Sequence, residues 1–197
     1  DSGAEVIVVA GPSVATFTEV AKNTNVKTAL VVAAEVPDIA GVKVIPYGEA
    51  LIGCEADKFV RPEIGGEDLV FLQYTGGTTG LSKGAALSNS NVAINLTQLC
   101  VWLYGDNPPV KPVLQTALPL YHIFALVANF LTMFQYGGKN ILIPDPSDMQ
   151  NFIAIMKEHP PHFFTGVNTL FNGLLAQPNI GEVDFSNMDV SVGGGAP

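Results

Sequence analysis

A chain of 197 residues, 48% hydrophobic and only 14% charged, carries enough apolar material for a substantial core, arranged as one large or two small domains. Nine basic against eighteen acidic residues give a net charge of −9, which excludes general attraction to nucleic acid or to an anionic membrane surface.

Val6 to Ala10 reads as a continuous apolar strand, Ser13 as the cap of a helix through Lys22, Thr28 to Val32 as a second strand and Val42 to Ile45 as a third. Arg61-Pro62-Glu63-Ile64-Gly65-Gly66 then breaks regular structure before a strand over Leu69 to Leu72. After a glycine-rich stretch, Gly84 to Leu87 is extended, and Ser88, Asn89 or Ser90 is available to cap a helix near Val92 to Leu103. Gly105 to Pro112 is a linker into a strand around Val113 to Ala117. The longest apolar run, Ile123 to Phe134, contains Asn129 and Thr132 and falls short of the roughly twenty residues that span a bilayer, so a core helix is expected there. A strand Asn140 to Ile143, a helix Ser147 to Glu158, a strand near Phe163, a helix Asn168 to Ala176 and a strand Asp189 to Val192 complete the chain. This alternation predicts an α/β fold of largely parallel sheets flanked by helices on both faces. The expected subdomains are residues 1–88 and 89–197.

Cys54 and Cys100 are too few and too separated for a disulfide framework or a zinc site, and are expected to be free, buried thiols of a reducing cytosol. Asp1-Ser2-Gly3 is not a basic opening, so no signal peptide is expected. His159 and His162 flank Pro160-Pro161 with no third ligand near, and read as loop residues rather than a metal site.

The chemistry concentrates in Tyr74-Thr75-Gly76-Gly77-Thr78-Thr79-Gly80-Leu81-Ser82-Lys83-Gly84-Ala85. Glycines let backbone amides approach anionic oxygens, the threonine and serine hydroxyls add donors, and Lys83 adds charge, which together suit a loop gripping polyphosphate. The Walker arrangement fails here, because Lys83 is followed by Gly84 and no hydroxyl stands in the usual magnesium-binding place. A turn between two strands is expected instead. A second glycine cluster, Gly193-Gly194-Gly195-Ala196-Pro197, follows the last strand, and ligands gather beyond the carboxyl ends of strands in open α/β sheets. His122, after Pro119 at a helix start, can face a carboxylate or phosphate, or serve as a hydrogen-bonded structural residue.

Tyr74 to Ala85, Leu118-Pro119-Leu120-Tyr121-His122-Ile123-Phe124 and Gly193 to Pro197, in that order, resemble the signature motifs of the adenylate-forming enzymes, which include acyl-CoA synthetases, luciferases and peptide-synthetase adenylation domains. Leu72 to Gly80 and Thr165-Gly166-Val167-Asn168-Thr169-Leu170-Phe171 look most like the bacterial long-chain fatty acid CoA ligases. The resemblance implies part of the large N-terminal domain of an acyl-CoA synthetase-like fold, excised from a longer enzyme and inactive alone. The implied reaction activates a fatty acid as acyl-AMP with ATP and Mg2+, then transfers it to coenzyme A. An acyl-AMP ligase that loads a carrier protein and a non-catalytic nucleotide-binding module are the alternatives.

On this resemblance Thr75, Gly76, Gly77, Thr78, Thr79, Gly80 and Lys83 hold the β- and γ-phosphates, while Gly193, Gly194, Gly195, Ala196 and Pro197 hold adenine. Lys83 and His122 are catalytic, and His122, Thr165, Gly166 and Val167 line the acyl site. None of these is a metal ligand. Many relatives follow the phosphate loop with Thr-His-Arg-Asn, whereas this chain has Ser88-Asn89-Ser90-Asn91 and lacks that cation. No nucleic acid partner is expected, and the expected location is the cytoplasm, with docking on the inner membrane left open.

Overall fold

The computed structural model describes residues 2–35, 37–75, 83–107 and 109–195, Thr75 by its backbone alone. They form two compact units, Asp1–Glu63 and Ile64–Pro197.

In the first unit, β1 (Val6–Ala10), β2 (Thr28–Val32) and β3 (Lys43–Pro46) form a parallel sheet in that order, with Val8 opposite Leu30 and Leu30 opposite Ile45. Helix α1 (Gly11–Val20) starts earlier than a Ser13 cap requires. Its first turn holds Pro12, whose fixed φ suits that place, and its last turn tightens into a 3-10 turn over Ala21–Asn23. Phe17 and Ala21, four apart on one helix face, close over Val9, Ala29 and Val31. Cys54 is exposed in this unit, which corrects the expectation of a buried thiol; Cys100, in the second unit, is half-buried.

In the second unit, β4 (Leu69–Thr75) and β5 (Lys83–Ser88) are antiparallel, as expected for a turn between strands. Ser88 caps helix α2 (Asn89–Tyr104) in a reciprocal box: Asn91 N–H donates to Ser88 Oγ at 3.3 Å, and Ser88 N–H donates to Asn91 Oδ1 at 3.0 Å. The first and last residues of Ser88-Asn89-Ser90-Asn91 thus close the start of the helix. A parallel four-stranded sheet follows, in the order β7 (Lys139–Leu142), β6 (Val113–Thr116), β8 (Phe163–Gly166), β9 (Val190–Gly193).

Alternation along these strands fills both faces. Leu114, Phe163, Val190 and Val192 pack with Leu103 and Met133 on one side. Phe164 packs on the other with Phe152, Ile153 and Met156 of α3 (Met149–Glu158) and Leu170 and Leu174 of α4 (Asn168–Leu175). The expected fold class therefore holds, with helices on both faces of this sheet. Two elements differ in detail. Helix α3 begins at Met149 because Asp148, not Ser147, accepts the Asn151 N–H, at 3.1 Å. The expected core helix from Ile123 is π-helical over Ala125–Leu131 and returns to α over Thr132–Gln135. No helix among the described residues is long and apolar enough to cross a membrane.

The turn into β7 is closely packed. Gly138 N–H donates to Met133 O at 2.7 Å, and a Cβ at Gly138 would stand 2.8 Å from the backbone oxygen of Pro112 and 3.0 Å from Met133 Sδ. Backbone cannot yield as a side-chain tip can, so Gly138→Ala is expected to lower stability by about 1–3 kcal/mol in urea unfolding. Gly181→Ala, where an added Cβ meets nothing within 4 Å, should stay within about 0.5 kcal/mol. Equal effects would refute the packing account.

Tyr104 and Tyr136 meet edge to face at 5.4 Å between ring centroids. Burial pushes the Tyr104 phenol up to about 12, with the negative charge of Asp189 and the Cys100 thiol adding to the shift. Burial likewise raises Tyr136, helped by its hydrogen bond with Cys100. A folded-state value above the ordinary 10 means that stability is fully present below pH 10 and is lost as pH rises toward 12. The urea midpoint should fall across that window, and less steeply in Tyr104→Phe.

Candidate functional site

The hairpin β4–β5 is largely exposed and, as two strands alone, marginally stable, so its contacts decide where its tip is held. At its base Asn89 N–H donates to Asp68 O at 2.9 Å and Ser90 N–H to Gly66 O at 2.8 Å. Near its tip Thr75 lies directly opposite Lys83 and Tyr74 opposite Gly84, where a Cβ would stand 3.3 Å from the Tyr74 ring. Lys83 is exposed. The predicted phosphate-holding residues Gly76, Gly77, Thr78, Thr79 and Gly80 lie outside the described residues.

A residue without an assigned role ties this hairpin to the histidine turn: Gln73 Nε2 donates to Tyr121 O at 3.1 Å. His122 N–H donates to Pro119 O at 3.0 Å and His122 O accepts from Leu126 N–H at 3.0 Å, so His122 stands at the start of the helical segment, exposed. Its Nδ1 accepts the Phe124 N–H at 3.2 Å, which in the neutral ring leaves the proton on Nε2, free to donate outward.

The second glycine cluster lies at the carboxyl ends of β8 and β9. Gly166 is paired with Gly193, and Gly194 N–H donates to Gly166 O at 3.1 Å. Gly195 has φ +81°, a conformation that favours glycine. A Cβ at Gly194 would lie 3.7 Å from the Phe124 ring, and one at Gly195 would lie 3.7 Å from the same ring and 4.0 Å from Val167 Cγ1. Phe124 is thus the meeting point of the His122 turn and a ledge of Gly166, Val167 and Gly193 to Gly195. Ala196 and Pro197 lie outside the described residues. Thr165 is completely buried, and its hydroxyl donates to Asn129 at 2.9 Å.

Two clefts open beside Phe124 and Val167. One, of about 540 Å³, lies between α2 and the π-helical segment against Leu99, Trp102, Phe124, Val127 and Ala128. The other, of about 260 Å³, is bounded by Ala117, Leu118, Met149, Val167 and Leu170. Among the described residues, no group of three or more His, Cys, Asp or Glu side chains converges as a metal-ligating set. His162 Nδ1 accepts the Val113 N–H at 3.3 Å, and the His159 ring lies 3.3 Å from Lys139 Nζ; both have structural partners.

Sequence reasoning passed over Gln73, Phe124 and Asn129 as working residues. Gln73 and Asn129 carried a usable signal, each being an amide inside an apolar run; Phe124 carried none, since its role comes from packing on distant glycines.

Residues 1–197 match the family described as AMP-binding enzyme. A long-chain-fatty-acid–CoA ligase of Haemophilus influenzae is 40% identical over 220 residues, covering 99% of this chain. This chain spans 39% of that relative's length. Among solved structures, ATP-bound MatB from Rhodopseudomonas palustris is 27% identical with a TM-score of 0.72, covering 100% of this chain and 36% of that one. An anthranilate CoA ligase, AuaEII, in complex with anthranoyl-AMP shares the fold at 18% identity, with a TM-score of 0.79, covering 97% of this chain and 36% of that one.

Proposed function

The chain belongs to the AMP-binding enzymes, and from that premise we propose that it is part of an ATP-dependent long-chain fatty acid CoA ligase. A carboxylate oxygen of the acid attacks the α-phosphorus of ATP. The new oxygen–phosphorus bond forms as the bond to the bridging oxygen breaks, and pyrophosphate leaves with that electron pair. A thiolate then attacks the acyl carbon and AMP departs; coenzyme A is the proposed acceptor.

The observation that carries this reading is the meeting of the His122 turn with the glycine ledge at Phe124, with the hairpin bonded to the same turn through Gln73. An anionic nucleophile approaching an anionic phosphate needs fixed donors around it. The hairpin tip and Lys83 supply them to the β- and γ-phosphates, and the ledge of Gly193 to Gly195, with Ala196 and Pro197 beyond it, supplies a flat seat for adenine. His122 Nε2–H faces a carboxylate oxygen and orients the acid. Gly166 and Val167 line the path of the acyl chain, and the apolar clefts beside Phe124 and Val167 give an aliphatic tail room. Magnesium, when bound, would neutralise charge on the phosphates. The enzyme works in the cytoplasm on this proposal, with docking on the inner membrane left open.

Labelled pyrophosphate should enter ATP only when a long-chain fatty acid is present with the full-length enzyme. Exchange that ignores the acid, or no exchange with any fatty acid, contradicts the reading.

A further inference from the structure

The longest apolar run of the sequence holds two polar residues, Asn129 and Thr132, and both are completely buried. Asn129 lies within the π-helical segment and reaches the sheet. Thr165 Oγ1 donates to Asn129 Oδ1 at 2.9 Å, Asn129 Nδ2 donates to Thr116 Oγ1 at 3.0 Å, and Thr116 Oγ1 donates to Asn140 Oδ1 at 2.6 Å. Each hydroxyl has one proton to give, and the assignments agree: Thr116 gives its proton to Asn140 and accepts from Asn129, while Thr165 gives its proton to Asn129. One donor chain therefore crosses three neighbouring strands, β8, β6 and β7, and is pinned to the helical segment at a single amide.

The π geometry makes this possible. A π turn takes in one more residue than an α turn, which rotates the following side chains by about 100° relative to a continuous α-helix. Thr132 Oγ1 bonds back to Val127 O, five residues earlier, at 2.9 Å, which supports the widened turn from inside. Nothing in the packing demands an amide at Asn129, since an apolar side chain would fill the space without needing partners. What the amide adds is a defined position of helix over sheet, because a paired buried network tolerates little displacement.

Both ends of that restraint lead to the proposed site. The helical segment pinned by Asn129 starts at His122, through the Leu126 N–H to His122 O bond, and carries Phe124. Thr165 is followed directly by Gly166 and Val167 of the ledge. We propose that Asn129, acting with Thr116 and Thr165, is a positioning residue for acyl activation: it sets the separation between the His122–Phe124 turn and the Gly166–Val167 strand end. This rests on the reading of the site given above. Asn129 is fully buried and touches no substrate, and Thr165 serves the network rather than lining the acyl path.

The test uses the full-length enzyme with fatty-acid-dependent pyrophosphate exchange and thermal unfolding. Asn129→Leu alone leaves the buried Thr165 hydroxyl without an acceptor, takes one donor from Thr116, and lowers the unfolding temperature. In the triple variant Thr116→Val, Asn129→Leu, Thr165→Val, the buried amide and both hydroxyls become apolar with similar shape and only the half-buried Asn140 loses a partner, so most of the lost stability returns. The exchange kcat/KM for the acid should nevertheless stay depressed by about 100-fold, the scale of an ångström of misplacement. A triple variant that regains stability and activity together makes the network merely structural and overturns the inference. Should the triple variant fold poorly, Thr165→Ser against Thr165→Val decides: the serine keeps the donor and should keep kcat, while the valine should lose about tenfold. Equal kcat in the two overturns the inference. Absence of acid-dependent exchange in the parental enzyme overturns the reading of the site and the inference with it, whereas exchange unaltered by these variants overturns the inference alone.

Discussion

Lys83→Ala in the full-length enzyme is expected to lower fatty-acid-dependent pyrophosphate exchange by about 100- to 1,000-fold, with the unfolding midpoint unchanged. Lys83 is exposed at the first position of β5, opposite Thr75 across the base of the glycine-threonine tip, so removing its side chain leaves no cavity. Its ammonium is the one cation of the segment from Tyr74 to Ala85. Fixed donors aimed at charge that develops on a leaving pyrophosphate are worth roughly 2.7–4 kcal/mol apiece in comparable sites, which sets the size of the loss. Lys83→Arg keeps the charge but presents a broader, planar head, so it should restore only part of the rate. Exchange within twofold of the parental value in Lys83→Ala would remove the lysine from the mechanism.

Phe152→Ala should destabilise the protein by about 3–5 kcal/mol in urea unfolding, the usual cost of emptying a buried phenyl site. Phe152 on α3 is completely buried, and its ring meets Phe164 of β8 edge to face at 6.1 Å between centroids. Phe164 in turn meets Phe171 of α4 at 5.6 Å, so one ring cluster holds two helices against one face of the four-stranded sheet. Small domains are stable by only about 5–15 kcal/mol, so the loss is a large share of the total. Leu175→Ala is the matched control: Leu175 is 72% exposed at the end of α4 and should cost under about 0.5 kcal/mol. Similar midpoints for the two variants would contradict the assignment of the core.

Local signals read well where chain chemistry alone decides. Val6 to Ala10 and Thr28 to Val32 are apolar runs rich in β-branched residues, the first closed by Gly11-Pro12, and the strands cover those residues. Ser88 was among the predicted caps because a hydroxyl before an apolar helix has a partner within its own turn. Misreadings came where competing local options exist or where packing decides. Ser13 looked like a cap, but Pro12 inside the first turn starts the helix without one, and Asp148 won over Ser147 one residue on. The π-helical segment goes with the burial of Asn129 against Thr116 and Thr165, 13 and 36 residues away. No periodicity in residues 123–134 announces such a turn. Cys54 was expected inside because thiols usually are, yet its surroundings leave it exposed.

The site was legible in the same divided way. The glycine and hydroxyl clusters marked themselves by composition, and the topology places Gly166, Val167 and Gly193 to Gly195 together at the strand ends. The burial of Thr165 against Asn129 was hidden, because a strand residue's face depends on register.

A crystal structure of the full-length enzyme with bound ATP is the most direct test of the central claim. The account predicts the β- and γ-phosphates enclosed by residues 75–83, with Lys83 Nζ within hydrogen-bonding distance of a phosphate oxygen, and adenine seated on Gly193 to Gly195. A triphosphate bound away from that hairpin, with Lys83 still facing solvent, would contradict it.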